Sequence, residues 1–165
     1  MKLAIVLGTG RVGAVSAGVA AYVVEVAKKA GHEVAFVDCG KLGVTRTEET
    51  NAFTEAWSAT VLACEGILIV SPEYNHGYPG ELKMLLDSAY AEYQHKPVGI
   101  IGVSNGPIGG ARMMEQLRQV AIAFQMIPAK NAVYFANSKL GVIDMAQEKR
   151  IIGLIDELAW YARAR

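Results

Sequence analysis

This chain is poor in the features that make a disulfide scaffold, a membrane protein or a nucleic-acid binder. It has two cysteines, Cys39 and Cys64, far apart and forming no C-x-x-C. That spacing indicates neither a disulfide framework nor a thiolate metal site, and both read as free core or loop thiols of a reducing cytoplasm. The three histidines, His32, His76 and His95, show no metal-ligand spacing. Sixteen Lys and Arg against 16 Asp and Glu give a net charge of +0. That balance supports neither nucleic-acid binding nor attraction to a membrane surface. No run of about 18 apolar residues occurs, so no transmembrane helix is expected. The apolar opening from Met1 to Gly8 is short and leads straight into a Gly-rich loop, so it reads as a first strand rather than a signal peptide. There is no internal repeat, low-complexity tract or linker.

What is present is a compact pattern of strands and helices. The chain has 165 residues, 52% hydrophobic and 19% charged, which suits one domain over residues 1–165 whose sheet is buried on both faces. Strands are expected at Lys2 to Leu7, Glu33 to Val37, Ile67 to Val70, Pro97 to Val103 and Ala132 to Phe135. Between them run helical faces: Val19, Val23, Val26, Ala27 and Ala30; Phe53, Ala56, Trp57, Val61 and Cys64; Leu82, Leu85, Leu86, Ala89 and Tyr93; Met113, Leu117, Val120 and Phe124. A last helix, after a loop from Asn137 to Asp144, carries Ile151, Ile155, Leu158 and Ala162. Gly31 and His32 end the first helix, Thr45 and Glu48 have capping-box spacing, and Pro79 stands where helices begin. Strict alternation with short connections implies a parallel sheet with helices on both faces. Ligands of such sheets bind beyond the carboxyl ends of the strands.

Three loops stand at those ends. The stretch from Ser71 to Lys83 runs from the third strand into a helix. Pro72 stiffens it, Tyr74 and Tyr78 offer flat rings, and Glu73, Asn75 and backbone amides offer hydrogen bonds. It suits a planar, hydrogen-bonding ligand. The first loop, Gly8 to Ser16, has two readings. Gly8-x-Gly10-x-x-Gly13 with Asp38 at the end of the second strand fits a dinucleotide fingerprint. Alternatively, the Thr9 and Ser16 hydroxyls, the Arg11 guanidinium and amides at the helix N-terminus, around Ala17 and Gly18, surround a monophosphate. The monophosphate reading is favoured, because 165 residues leave little room for the second region a dehydrogenase needs. The third loop, Ser104 to Gly110, is again Gly-rich.

Pro72 to Lys83 resembles the loop P-E-Y-N-x-x-x-P-G-x-L-K of the NADPH-dependent FMN reductase family and matches every fixed position. The first loop resembles one branch of that family, G-T-x-R-x-G-x-x-S, at Gly8, Thr9, Arg11, Gly13 and Ser16. The resemblance is weakest beyond Ala132. Met84 stands where many members have Asn, and Gly77 replaces a frequent Ser, which bears on substrate shape. It implies an α/β flavodoxin-like fold, a five-stranded parallel sheet of order 2-1-3-4-5. It implies FMN as cofactor, with FAD disfavoured for want of a second domain, and NADPH or NADH as electron donor. A hydride would pass through flavin N5 to a quinone, flavin, azo or metal-ion acceptor, with no catalytic side chain and no metal. The implied cofactor contacts are Thr9, Arg11, Ser16, Ala17 and Gly18 at the phosphate. Pro72, Glu73, Tyr74 and Asn75 would stand along the ring. Ser104, Asn105, Gly106 and Gly109 would lie at the pyrimidine edge, where glycine amides approach O2 and N1.

The resemblance also implies a homodimer or homotetramer. Single residues read more plainly: His76 as a loop residue near the ligand, Glu73 as a structural hydrogen-bonder, Tyr90 and Tyr93 as packing or subunit-contact residues. Three rival readings stand beside the reductase. One is a non-enzymatic flavodoxin-like electron carrier, disfavoured by the neutral charge. Another is an NAD-binding Rossmann protein using the first loop and Asp38. The last is a flavin-binding protein without turnover.

Overall fold

The structure is a computed structural model and describes residues 1–47, 49–137 and 145–164. Four long strands carry the sheet: β1 (Lys2–Leu7), β2 (Glu33–Asp38), β3 (Gly66–Pro72) and β4 (Pro97–Val103). Two short ones, β5 (Ile127–Pro128) and β6 (Val133–Phe135), complete it. The order is β2-β1-β3-β4-β5, with β6 also pairing β4, and every pairing is parallel. The expected order therefore holds. Its outer position is filled by two segments rather than by one strand starting at Ala132. Ile127 and Pro128 pair with Pro97 and Val98, and Val133 to Phe135 pair with Ile101 to Val103. Two β4 residues thus face four on the other side, and the extra residues leave the ladder between the two pieces. A two-residue strand containing Pro128 carries no period that a sequence can display.

Alternation along each strand splits the interior in two. Leu3, Ile5, Leu68, Val70, Ile101 and Val103 pack beneath α1 (Val15–Lys29) and α5 (Met145–Arg163). Ala4, Val6, Ile67, Ile69, Val98 and Ile100 pack beneath α2 (Ala52–Ala63), α3 (Gly80–Asp87) and α4 (Ala111–Ala123). The expected helical faces are buried at Val19, Val23, Trp57, Val61, Leu82, Leu85, Leu117 and Ile151, whereas Ala30 and Ala56 are exposed.

Three helix boundaries differ from expectation. α2 begins at Ala52, where the Asn51 side chain accepts from the Phe53 and Thr54 amides and Thr54 Oγ1 accepts from the Asn51 amide. That reciprocal cap, rather than Thr45 with Glu48, starts the helix. Glu48 lies outside the described residues, and Thr45 donates to Glu49 instead. α3 stops at Asp87, so Ala89 and Tyr93 lie beyond it. Tyr93 is buried from a separate 3₁₀ turn, Ala91–Tyr93. Pro79 is the residue before α3 rather than its first. Most of the Asn137-to-Asp144 loop lies outside the described residues. Among those described, no helix is long and apolar enough to cross a membrane, and no group of His, Cys, Asp or Glu could hold a metal.

Candidate functional site

β1, β3 and β4 are neighbours, so the loops that follow them meet at one edge of the sheet. Between them lies a cavity of ≈ 440 Å³. Arg11, Val12 and Ser16 line it from the first loop and α1, Glu73 and Tyr74 from the second loop, and Ser104, Asn105 and Gly106 from the third. Its size is that of a small-ligand or cofactor site.

The first loop ends on an open helix. The residue before α1 is Ala14, which has no side chain to cap it, and the first turn carries no acidic residue. No side-chain cap takes the amides of this end, and the helix dipole is uncompensated there. Ser16 is 1% exposed, and its Oγ is buried without a hydrogen-bond partner among the described residues. A buried hydroxyl without a partner costs on the order of 1–3 kcal/mol. Arg11 is exposed and makes no ion pair among the described residues. An orphaned hydroxyl, an open helix terminus and a guanidinium on one cavity wall have the chemistry to receive an anion. The phosphate of FMN fits these groups.

Other expected phosphate contacts are already occupied. The Ala17 amide closes the first turn on the Ala14 carbonyl at 3.0 Å, and Gly18 is exposed on the next turn. Thr9 is buried behind the wall and does not line the cavity. Its Oγ1 lies 3.0 Å from the Tyr74 hydroxyl, donates to Glu81 Oε1 at 3.1 Å and accepts the Arg11 amide at 3.2 Å. Asp38, the acid of the dinucleotide reading, accepts the Gly40 amide at 2.9 Å and so caps the turn that follows β2.

In the second loop, Pro72 ends β3 and is buried. Tyr74 and Gly77 exchange both backbone hydrogen bonds at 2.9 Å, with Asn75 and His76 at φ 49° and 70° between them. Two left-handed central residues are the signature of a primed hairpin turn, a place for Asn rather than for His. Asn75 thus sits exposed at the tip, away from the cavity lining, while Tyr74 stands in the wall. Glu73 reaches across to α4. Its Oε2 accepts the Met113 amide at 3.3 Å, and its Oε1 faces Arg112 Nη1 at 3.4 Å, with the Glu73 side chain 7% exposed. Its carboxylate therefore anchors the α4 N-terminus, as a structural hydrogen-bonder does.

The third loop is pinned to the sheet edge. Ser104 donates its amide to Phe135 O at 3.0 Å, its Oγ accepts the Gly106 amide at 2.9 Å, and Gly106 O accepts the Asn137 amide at 3.0 Å. The Gly106 amide is thus engaged within the loop rather than turned to a ligand. Gly109, with φ 61°, is packed against β6: a Cβ there would lie 2.8 Å from that of Tyr134. Its carbonyl presses on Gly102, where a Cβ would come within 2.4 Å. Gly109 and Gly102 therefore serve close backbone approach, and neither lines the cavity.

Two participants have no sequence signal. Glu81 occupies the variable position of the P-G-x-L-K run, yet its Oε1 accepts the Gly10 amide at 2.8 Å and ties α3 to the first loop. Arg112 pairs with Glu73 from 39 residues away.

Comparison with known proteins bears on what this edge is for. A family model described as NADPH-dependent FMN reductase matches residues 1–140. An NAD(P)H-dependent FMN reductase of Schizosaccharomyces pombe is 37% identical over 103 residues, 60% of this chain and 50% of its own length. A 2-hydroxy-1,4-benzoquinone reductase of a Burkholderia species is 36% identical over 100 residues, 56% of this chain and 55% of its own. The chain spans about half the length of the curated relatives it matches. FerB, a flavoenzyme NAD(P)H:(acceptor) oxidoreductase from Paracoccus denitrificans, superposes with a TM-score of 0.83 at 19% identity, covering 99% of this chain and 97% of its own. A flavodoxin of Streptococcus pneumoniae superposes at 0.67 with 14% identity, covering 97% and 99%. The two superpositions establish the flavodoxin-like fold. The match over residues 1–140 establishes the lineage: the chain belongs to the NADPH-dependent FMN reductase family.

Proposed function

We propose that this protein is an NAD(P)H-dependent, FMN-containing reductase whose 165 residues form one flavin-binding unit. The observation that carries this is the Ser16 hydroxyl, buried at an uncapped helix start beside Arg11, both without a side-chain partner among the described residues. FMN, when bound, would supply the chemistry, hydride transfer between NADPH or NADH and a quinone, flavin, azo or metal-ion acceptor. The relatives named as FMN and quinone reductases support that choice of donor and acceptor. The chain's own residues bind and orient. Ser16 and Arg11 hold the phosphate, Tyr74 and Pro72 flank the ring, and Ser104 and Asn105 face it from the third loop. Glu73 is spent on α4 and serves neither as acid nor as base. Two buried free thiols suit a reducing compartment, and we place the protein in the cytoplasm. Exposed Tyr90, Ile122 and Trp160 suit assembly into a homodimer or homotetramer.

The test is flavin affinity. FMN and riboflavin share the ring, but only FMN carries the phosphate. A hydrogen bond to a charged group is worth roughly 1.5–3 kcal/mol, so Arg11→Ala weakens FMN binding by about 10- to 150-fold and leaves riboflavin unchanged. Ser16→Ala costs less, because neighbouring amides share its role. No FMN binding at micromolar concentration overturns the reading. A loss of NADH affinity with FMN affinity intact returns the first loop to the dinucleotide reading. Sedimentation of the same preparation as a monomer overturns the assembly.

A further inference from the structure

Glu81 stands in the first turn of α3, yet its carboxylate is used on another loop 72 residues away. Oε1 accepts two donors there, the Gly10 amide at 2.8 Å and the Thr9 hydroxyl at 3.1 Å. A hydroxyl has one hydrogen and two acceptor sites. With its hydrogen given to Glu81, Thr9 Oγ1 offers only lone pairs. These meet the Arg11 amide at 3.2 Å and the Tyr74 hydroxyl at 3.0 Å, so Tyr74 is the donor in that last bond. All three valences of a side chain 1% exposed are then filled from three directions. Nothing on Thr9 remains for a phosphate. What the arrangement does instead is tie together two residues that line the cavity, Arg11 and Tyr74, from behind.

We propose that Glu81 is a positioning residue: by saturating Thr9 and holding the Gly10 amide, it fixes the first loop and the Tyr74 ring as one wall of the cavity. Its effect on flavin rests on the FMN reading above; its effect on the loop does not. Charge alone makes a carboxylate beside an anion site unfavourable for a phosphate, so any benefit of Glu81 must come from order. Burial works against the charged form. The Gly10 amide, the helix's own amide and the Thr9 hydroxyl outweigh it and hold the carboxyl below its ordinary range. The titratable groups near it are Tyr74, across Thr9, and the buried Cys39 thiol from the turn after β2.

The sign of three variants separates this role from the alternatives. Glu81→Gln keeps an oxygen acceptor and removes the charge. It should leave riboflavin affinity unchanged and FMN affinity equal or a few-fold tighter. Glu81→Ala loses both bonds and should weaken both flavins by roughly 3- to 10-fold. Thr9→Val removes the hub while keeping its shape and should also weaken both flavins. The readout independent of flavin is amide hydrogen exchange in the flavin-free protein. Gly10 and Arg11 exchange faster in Glu81→Ala and at the wild-type rate in Glu81→Gln, and Arg11 exchanges faster in Thr9→Val. Unchanged exchange in Glu81→Ala, or damage by Gln equal to that by Ala, overturns the proposal. So does a Thr9→Val protein that loses affinity for FMN alone, since Thr9 would then be a phosphate ligand. Should Glu81→Ala fail to fold, Thr9→Val and Glu81→Gln decide the question. A wild-type protein that binds no flavin overturns the FMN reading, while the Gly10 exchange rates still decide this one.

Discussion

Tyr93 joins three elements through one oxygen. It accepts the Trp57 indole N–H at 2.7 Å and donates to the Leu86 carbonyl at 2.9 Å, with its ring 5.0 Å from that of Phe124. All of this is buried, so Tyr93→Phe leaves the Trp57 donor without a partner. That should cost about 1–3 kcal/mol, read as a shift in urea midpoint. Burial also pushes the phenol far above its ordinary value of 10.0. The folded protein keeps a proton that the unfolded chain releases. The stabilisation is therefore complete below about pH 10 and is lost as pH rises further. The wild-type midpoint should fall between pH 9 and pH 11 by more than that of Tyr93→Phe; equal falls would show that another group controls the alkaline limb. At this scale the sequence was legible where a residue belongs to a motif, as with Arg11, Ser16 and Tyr74. It was silent where a side chain acts across space. Nothing at position 81 announces a bond to position 9, because the two meet only once β1 and β3 lie side by side.

Elements were legible in proportion to their length and apolarity. β1 to β4 are strands of six or seven residues built on short apolar runs and stand where expected, within a residue or two. The outer edge was not, since it is built of two short pieces. The start of α2 was misplaced because Asn51 with Thr54 competes with Thr45 and Glu48 on spacing alone, and only the chain path decides between them. α1 has a further consequence at the scale of an element. Its uncapped start is a defect in stability and an asset in binding. Ala14→Asp supplies a cap, which should raise the stability of the flavin-free protein by about 0.5–2 kcal/mol. The same carboxylate stands where the phosphate is proposed to bind, so FMN affinity should fall by about tenfold or more while riboflavin affinity holds. Thermal melting and two flavin titrations check both halves. A variant more stable and equally tight for FMN would place the phosphate elsewhere.

For the whole molecule, topology was more legible than any single boundary, because strict alternation and short connections leave few ways to order a parallel sheet. Parallel pairing also gives the sheet a polarity. Every strand points its carboxyl end at the cavity, and every return turn, including Cys64 to Glu65 and Gln94 to Lys96, lies at the opposite edge. Cys39 and Cys64 are buried, and burial holds both thiols above their ordinary range. Native wild-type protein should therefore consume no maleimide at neutral pH, whereas Gln94→Cys, at an exposed turn, should consume one equivalent and bind FMN as before. Labelling of the wild type would show that its core opens under native conditions. A dye, tether or electrode linker attached at that turn would hold the molecule by its blind end, leaving the mouth of the cavity turned toward the solution.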